Sequence, residues 1–487
     1  MNGVFVGVVA ASTSLSGLIT PPAADPGNIV ATTSVVNQFE PRANSFEPSL
    51  TAKSIAGKRC TKRGAERASK SVTFVCQKRG KKLVWVKKPK RLAAPVIVPE
   101  PAYEPPTTSS ASLQTCRLAE VSTDRRQFSN QASGFPTLEQ YVPHQSTVRM
   151  ALIPVDWSDG PGDPSLIQSI TSQTQKLTEW YDNVSEGRLK VEWVVHPNWI
   201  RLPGSANSYA VPYSGDRPAT ANFFNRVIPV VDSAFDFTGV QVANFLLPQG
   251  QTVVRESVQD WPWEEFTART TNEGRLTSAT AAGAFFEQVP REYWSYWAHE
   301  FGHVLQLAHV GSSRQWSSMH GYDLMGSQDG PTRELSGWMR FVAGWLSDDQ
   351  VYCQERSTLE PTKLMLNPLN ERKPGVKAAI VRVSPTEAIV IESRRPNEWS
   401  CSTVGNSAYS TSGVLVYTYD ATKGGQQEFL EAVRPEGRPS VYTGCPAPPE
   451  PNSLLQTGES VSIKGVTVSV VLGGPDNQYD TVNVELS

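Results

Sequence analysis

The chain has 487 residues, 39% of them hydrophobic, with 13 tryptophans and six cysteines, which excludes a single small domain and a chain without a core. Its net charge of −2 averages unlike parts. Residues 51–90 hold 14 of the 45 basic residues and one of the 47 acidic ones, leaving 31 basic against 46 acidic elsewhere, a net −15.

Residues 1–24 run from the apolar Val4–Ala11 stretch through Leu18 and Ile19 to Pro22-Ala23-Ala24, and read as a secretory signal peptide cleaved after Ala24. No other stretch approaches the length of a membrane span. Residues 25–50 read as a disordered linker. Six widely spaced cysteines suit three disulfides in an oxidising compartment. In the basic stretch 51–90, Cys60, a basic turn, Val72–Cys76 and Lys82–Val86 predict a small hairpin closed by Cys60 and Cys76. It is similar to short basic modules with cysteine and tryptophan on secreted bacterial proteins. Two readings fit it: attachment by charge to an anionic cell-wall polymer, or a solvated basic arm. Nucleic acid is the poorer partner, because a secreted protein rarely meets it.

Residues 91–112, with Pro95, Pro99, Pro101, Pro105 and Pro106, predict a semi-extended linker. Residues 113–352 follow as one domain. Within it, Val148–Trp157 reads as a buried strand, Ser165–Val184 as an amphipathic helix and Arg188–Val195 as an alternating strand. Ala219–Phe235 reads as a second helix and Val240–Leu247 as a third strand. Gln251–Gly283 shows no clear periodicity and reads as surface loop.

The chemistry concentrates at His299-Glu300-Phe301-Gly302-His303, with His309 six residues on. On a helix, His299 and His303 leave one face and can share a zinc ion, and Glu300 beside them can take a proton from a water that the ion has acidified. His309 is the expected third ligand, which leaves a fourth position open as catalytic zinc requires. His320 and Asp323 are the alternatives. Three of only six histidines fall in this register, which weighs against a helix that merely carries core histidines.

The H-E-F-G-H run, the third histidine in register and the Tyr322-Asp323-Leu324-Met325-Gly326 turn resemble the metzincin zinc endopeptidases. More narrowly they are similar to the M6-like, immune inhibitor A type of secreted bacterial peptidase. The resemblance implies that Met325 lies in a turn beneath the zinc, and that calcium is a second cofactor, for which Asp156, Asp159 and Asp163 offer an acidic loop. It extends over Trp180–Leu189, Leu335–Trp338 and Gly344–Leu346. Where this family has glycine the chain has Gln306, whose left-handed conformation would cost about 1 kcal/mol.

Residues 353–487 are rich in short Val, Ile, Thr and Tyr runs, at Ala378–Val383, Glu387–Glu392, Val414–Tyr419, Ser460–Leu472 and Thr481–Leu486, and predict a β-sandwich. Cys401 with Cys445 and Cys116 with Cys353 are the expected pairs beside Cys60 with Cys76; a Cys116 thiolate capping the zinc is the competing use. The expected fold class is therefore α+β: a zincin-like catalytic domain, a β-sandwich after it and a basic disulfide module before it. The expected function is a secreted zinc metalloendopeptidase acting on protein or peptide. Its rivals are an adhesion or polymer-binding protein built on a zincin platform, and a zinc hydrolase of cell-wall peptides.

Overall fold

The computed structural model describes residues 55–69, 72–87, 102–122, 131–137, 139–263, 269–287, 292–311, 318–328, 333–395, 397–399, 412–424, 427–438, 453–473 and 478–487. The expected signal peptide and first linker, and both Cys401 and Cys445, lie outside them. The chain divides into two compact units, Met1–Ile97 and Val98–Ser487. The class is α+β, with few helices and many strands in several sheets.

The first unit is a three-stranded antiparallel sheet of β1 (Glu66–Ser69), β2 (Val72–Arg79) and β3 (Lys82–Lys87). Its small core is Phe74 and Cys76, and the Cys60–Cys76 disulfide ties the preceding loop to β2. So few apolar residues would not hold a module of this size without a covalent staple. The cationic side chains, Lys58, Arg59, Lys62, Arg63, Arg67, Lys78, Arg79, Lys81, Lys82 and Lys87, all stay exposed.

In the second unit a short helix α1 (Leu113–Cys116) precedes β4 (Thr147–Trp157), α2 (Pro164–Val184), β5 (Lys190–Val195), β6 (Ile200–Leu202), α3 (Arg217–Asp232) and β7 (Val242–Leu246). Then come β8 (Val258–Asp260), a hairpin of β9 (Thr270–Thr271) and β10 (Gly274–Arg275), β11 (Ser278–Ala281) and α4 (Tyr293–Val304). The first large sheet has the order β5-β4-β7-β11-β8, with β6 also on β4; β8 alone is antiparallel and forms one edge. Strand alternation sorts β4 between two cores. Val148, Met150 and Leu152 face α2 and α4, while Ala151, Ile153, Val155 and Trp157 face Phe223, Phe224, Val227 and Val231 of α3. Gln251–Gly283 is therefore not simple surface loop, since it supplies β8 and β11. The Ser278-Ala279-Thr280-Ala281 strand is fully buried but too polar and small to register as an apolar run.

After α5 (Gly337–Val342) come β12 (Val351–Glu355), β13 (Thr362–Leu366), β14 (Ala378–Arg382), β15 (Glu387–Arg394), β16 (Gly413–Asp420), β17 (Leu430–Ala432) and β18 (Leu454–Leu455). The chain ends with β19 (Ser460–Ile463), β20 (Val466–Leu472) and β21 (Asp480–Leu486). They form one sheet of order β12-β14-β15-β16-β17, with β18 on β16, and another of order β13-β21-β20-β19. The expected single run Ser460–Leu472 is two strands, because Lys464 (φ 50°) and Gly465 (φ 77°) turn it back in the left-handed pair that tight hairpins need.

Packing crosses two of the expected boundaries. The sheet containing β14, β15 and β16 is buried on both faces: Ala379, Val381, Ile389, Ile391 and Val416 pack on the four-stranded sheet, while Ile380, Val390, Leu415 and Tyr417 join the core around α4. Residues 353–487 thus share a core with residues 113–352 and fall in one compact unit with them. Residues 102–112 are extended but not a free linker. Thr107 N donates to Lys363 O (3.1 Å), Ala111 N donates to Cys353 O (2.8 Å), and the Tyr103 ring lies 5.8 Å from that of Tyr479. The Cys116–Cys353 disulfide, buried at both ends, fixes this segment to β12. Among the described residues no helix is long and apolar enough to cross a membrane.

Candidate metal centre

Helix α4 carries Tyr293, Trp294, Tyr296, Trp297, His299, Glu300, Phe301 and His303, and it is buried on every side. A helix without a polar face belongs inside a core, and here α2 and the first large sheet enclose it. The Tyr181 hydroxyl of α2 donates to Ala298 O at 2.6 Å, one residue before His299. The helix ends at Leu305, and Gln306 then takes φ 63°, the left-handed conformation that turns the chain back. Gln306 is held there because its Nε2 donates to Glu139 O (2.8 Å) while its carbonyl accepts from Ala132 N (2.8 Å). The reversal delivers His309.

His309 Nε2 stands 3.2 Å from His299 Nε2 and 3.0 Å from His303 Nε2, and the three ligand nitrogens lie within 4.8 Å of one another. Three nitrogens bound tetrahedrally to one zinc ion would be about 3.3 Å apart. The protonation of the rings follows from their other nitrogens. His299 Nδ1 donates to Leu324 O (2.9 Å) and His303 Nδ1 to Leu307 O (3.0 Å); carbonyls only accept, so the protons sit on Nδ1 and both Nε2 atoms present lone pairs. Gln131 Nε2 is 2.9 Å from the same His303 Nδ1, and with the proton on Nδ1 the amide turns end for end to present its oxygen there. A proton on His309 Nε2 could serve only one of its two neighbours, whereas a cation at their centre satisfies all three. Burial lowers His299 to about 4, His309 to about 3 and His303 well below its usual value, so the rings stay neutral, as ligands must. The residues therefore fit a metal ion, and among the described residues they are the one such group.

Glu300 is buried, and burial lifts its carboxyl to about 8, against a Gln259 Nε2 that donates to its Oε1 at 3.4 Å. A dication at the histidines would draw that value back down. Met325 packs beneath the histidines, with its Sδ against Gly302, and Val310 N donates to Met325 O at 3.1 Å. Asp323 is not a ligand: its buried carboxylate accepts from Met325 N and Ser336 N, each at 2.8 Å, and so shapes the turn that presents Leu324 O to His299. His320 is half-buried beside His309 and outside the triad.

The acidic loop does not converge. Asp156 pairs with Arg201 (Nε–Oδ1 2.6 Å) and accepts from Gly162 N, Asp159 accepts from Ala206 N, and Asp163 caps α2 through Ser165 N. Each carboxylate is used by its own neighbour, so the three make no shared cation site among the described residues. Cys116 is in a disulfide with Cys353 and is not a zinc cap.

Gln131, Gln259 and Trp261 touch the site from separate loops and an edge strand, and no spacing in the sequence pointed to them. Asp323, expected as an alternative ligand, instead supports the Tyr322–Gly326 turn. In comparisons with known proteins, no family description and no curated sequence matches this chain.

Proposed function

We propose that this chain is a zinc-dependent endopeptidase of the M6-like metzincin kind, secreted, with residues 113–352 as a zincin-like catalytic part and a β-sandwich after it. The observation that carries the reading is the pairing of a three-nitrogen cage with a buried carboxylate one residue from the first ligand. A structural zinc site needs no such base. His299, His303 and His309 would hold the ion, leaving a position for water or substrate. When bound, zinc supplies Lewis acidity toward a scissile carbonyl and lowers the pKa of water. Glu300 accepts the water's proton on its carboxylate and passes it to the leaving amine, while the Gln259 amide orients that carboxylate. Leu324 O and Leu307 O hold the two helical imidazoles in the tautomer that keeps Nε2 free.

The exposed cations of the first unit support attachment to an anionic cell-wall polymer, with the disulfide keeping the module folded outside the cell.

The test is casein hydrolysis with and without a chelator, together with zinc content per chain. Glu300→Gln should keep zinc and fold while losing about 10²- to 10⁴-fold in turnover, and His303→Ala should lose the metal as well. Chelator-resistant hydrolysis, or a zinc-loaded Glu300→Gln that remains active, refutes the reading.

A further inference from the structure

We infer that Trp261, Trp263 and Tyr141 form a subsite beside the metal centre that takes a flat, uncharged side chain of a peptide, either an aromatic ring or a proline. This rests on the endopeptidase reading and narrows its substrate class.

The three rings make a row. Trp261 and the His303 ring meet edge to face at 5.3 Å with the planes at 89°; Trp263 stacks on Trp261 at 5.4 Å and 11°; Tyr141 follows at 6.2 Å from Trp263. None of the three is a core residue. Each remains partly exposed, whereas Trp294, Trp338 and Trp345 are fully buried.

The row is also held in place. Arg269, 2% exposed and at φ 38°, donates through Nη1 to Trp261 O (2.6 Å), Asp260 O (3.3 Å) and Thr277 O (2.8 Å), and through Nη2 to Pro262 O (3.5 Å). Its Nε faces the buried Asp260 carboxylate at 3.3 Å. A buried guanidinium spent on three consecutive carbonyls fixes the backbone of residues 260–262, which carries the Trp261 indole on which Trp263 stacks. Packing two partly buried tryptophans does not require that. A rigid aromatic surface binds with little ordering cost, as a recognition surface should.

The occupant follows from position and charge. Because Trp261 touches a ligand ring, a side chain on the row belongs to a residue within about two positions of the scissile bond, at the ~3.4 Å spacing of an extended chain. Lysine and arginine also stack on indole, but a dication this close repels them. A sugar ring would need hydrogen-bonding groups around its hydroxyls, and these three residues offer only one phenol and two indole N–H groups. Flat apolar groups need only the faces.

The experiment uses peptides identical except for Phe, Pro, Ala or Lys at each position within two of the cleaved bond. They are assayed with the wild-type, Trp263→Ala and Tyr141→Ala full-length proteins, whose folding is checked by thermal melting and zinc content. In parallel, binding of the uncleaved peptides to zinc-loaded Glu300→Gln, with and without Trp263→Ala, is measured by calorimetry. At one position Phe and Pro should exceed Ala by about tenfold in kcat/KM and in affinity, and Trp263→Ala should erase most of that preference. Hydrolysis without any preference for Phe or Pro, a preference that survives folded Trp263→Ala and Tyr141→Ala, or stronger selection of Lys or of a glycosylated peptide overturns the subsite while leaving the peptidase reading intact. Selective binding by Glu300→Gln with no hydrolysis by the wild type does the reverse. Binding without selection overturns the subsite whatever the activity.

Discussion

Met325 occupies the space that a side chain at position 302 would need: a β-carbon on Gly302 would lie 2.5 Å from the Met325 Sδ. The glycine inside the helix thus lets the turn carrying Met325 approach the histidines, and the same turn presents Leu324 O to His299 Nδ1. Gly302→Ala should push that turn away and weaken metal binding, although alanine is the better helix former by about 1 kcal/mol. Titration with a competing chelator should show at least a tenfold loss of zinc affinity, relieved in part by a second change, Met325→Ala. Unchanged affinity in Gly302→Ala would mean that the thioether simply rotates aside.

Gln306 separates two contributions at the helix end. Gln306→Ala keeps the left-handed strain but loses the hydrogen bond to Glu139 O; Gln306→Gly loses both. The alanine variant should therefore be less stable than the glycine variant by about 1 kcal/mol, with the glycine variant within about 1 kcal/mol of wild type. Denaturant melts of the three proteins check the order, and a reversed order of Ala and Gly would rule it out.

The metal-free protein should lose stability in acid. His299 and His309 titrate at about 4 and about 3 in the fold against 6.5 when exposed, so over that window the unfolded chain binds protons that the native state does not. Their contribution is complete above pH 6.5 and is lost as pH falls through the folded values. Glu300, raised from 4.5 to about 8, acts oppositely, and its share falls as pH rises through that interval. Asp323, raised by burial from 3.8 to about 6, adds to the opposing side, so with three histidines against two carboxyls Tm of chelator-treated protein should rise moderately up to about pH 6.5 and decline slightly beyond. His309→Gln should flatten the acid limb and Glu300→Gln the alkaline one. Flat Tm profiles from pH 4 to 8 would contradict both assignments.

Deletion of residues 51–90 should release the protein from cell walls without changing peptide hydrolysis. Attachment of the full chain should weaken steeply as salt rises, because exposed charges are screened over about 8 Å at physiological ionic strength. Retention that ignores salt points to a shape-specific ligand instead.

The parts legible in the sequence were those with strong local periodicity. Val148–Trp157 and Ser165–Val184 match β4 and α2 within a residue at each end, because one is a continuous apolar strand and the other an amphipathic helix capped by Asp163. His299 and His303 were legible because helix geometry converts a spacing of four into one shared face, whereas His309 lies beyond the helix end and reaches them only through the reversal at Gln306. What was hidden depends on long-range contacts. β11 is short, polar and buried only because β7 and β8 flank it. Gln259 reaches Glu300 from an edge strand 41 residues away. Composition changes near Cys353 while packing does not: β14 to β16 serve two cores at once.

That two-faced sheet also orders events during synthesis. A nascent chain that has emerged as far as His309 already has every expected zinc ligand, yet the core around α4 still lacks Ile380, Val390 and Tyr417, and Cys116 still waits for Cys353. The other face needs β13 to pair with β21. A chain stalled before β21 would carry all three histidines with part of their support missing, so metal affinity should appear abruptly once β21 pairs rather than grow with chain length.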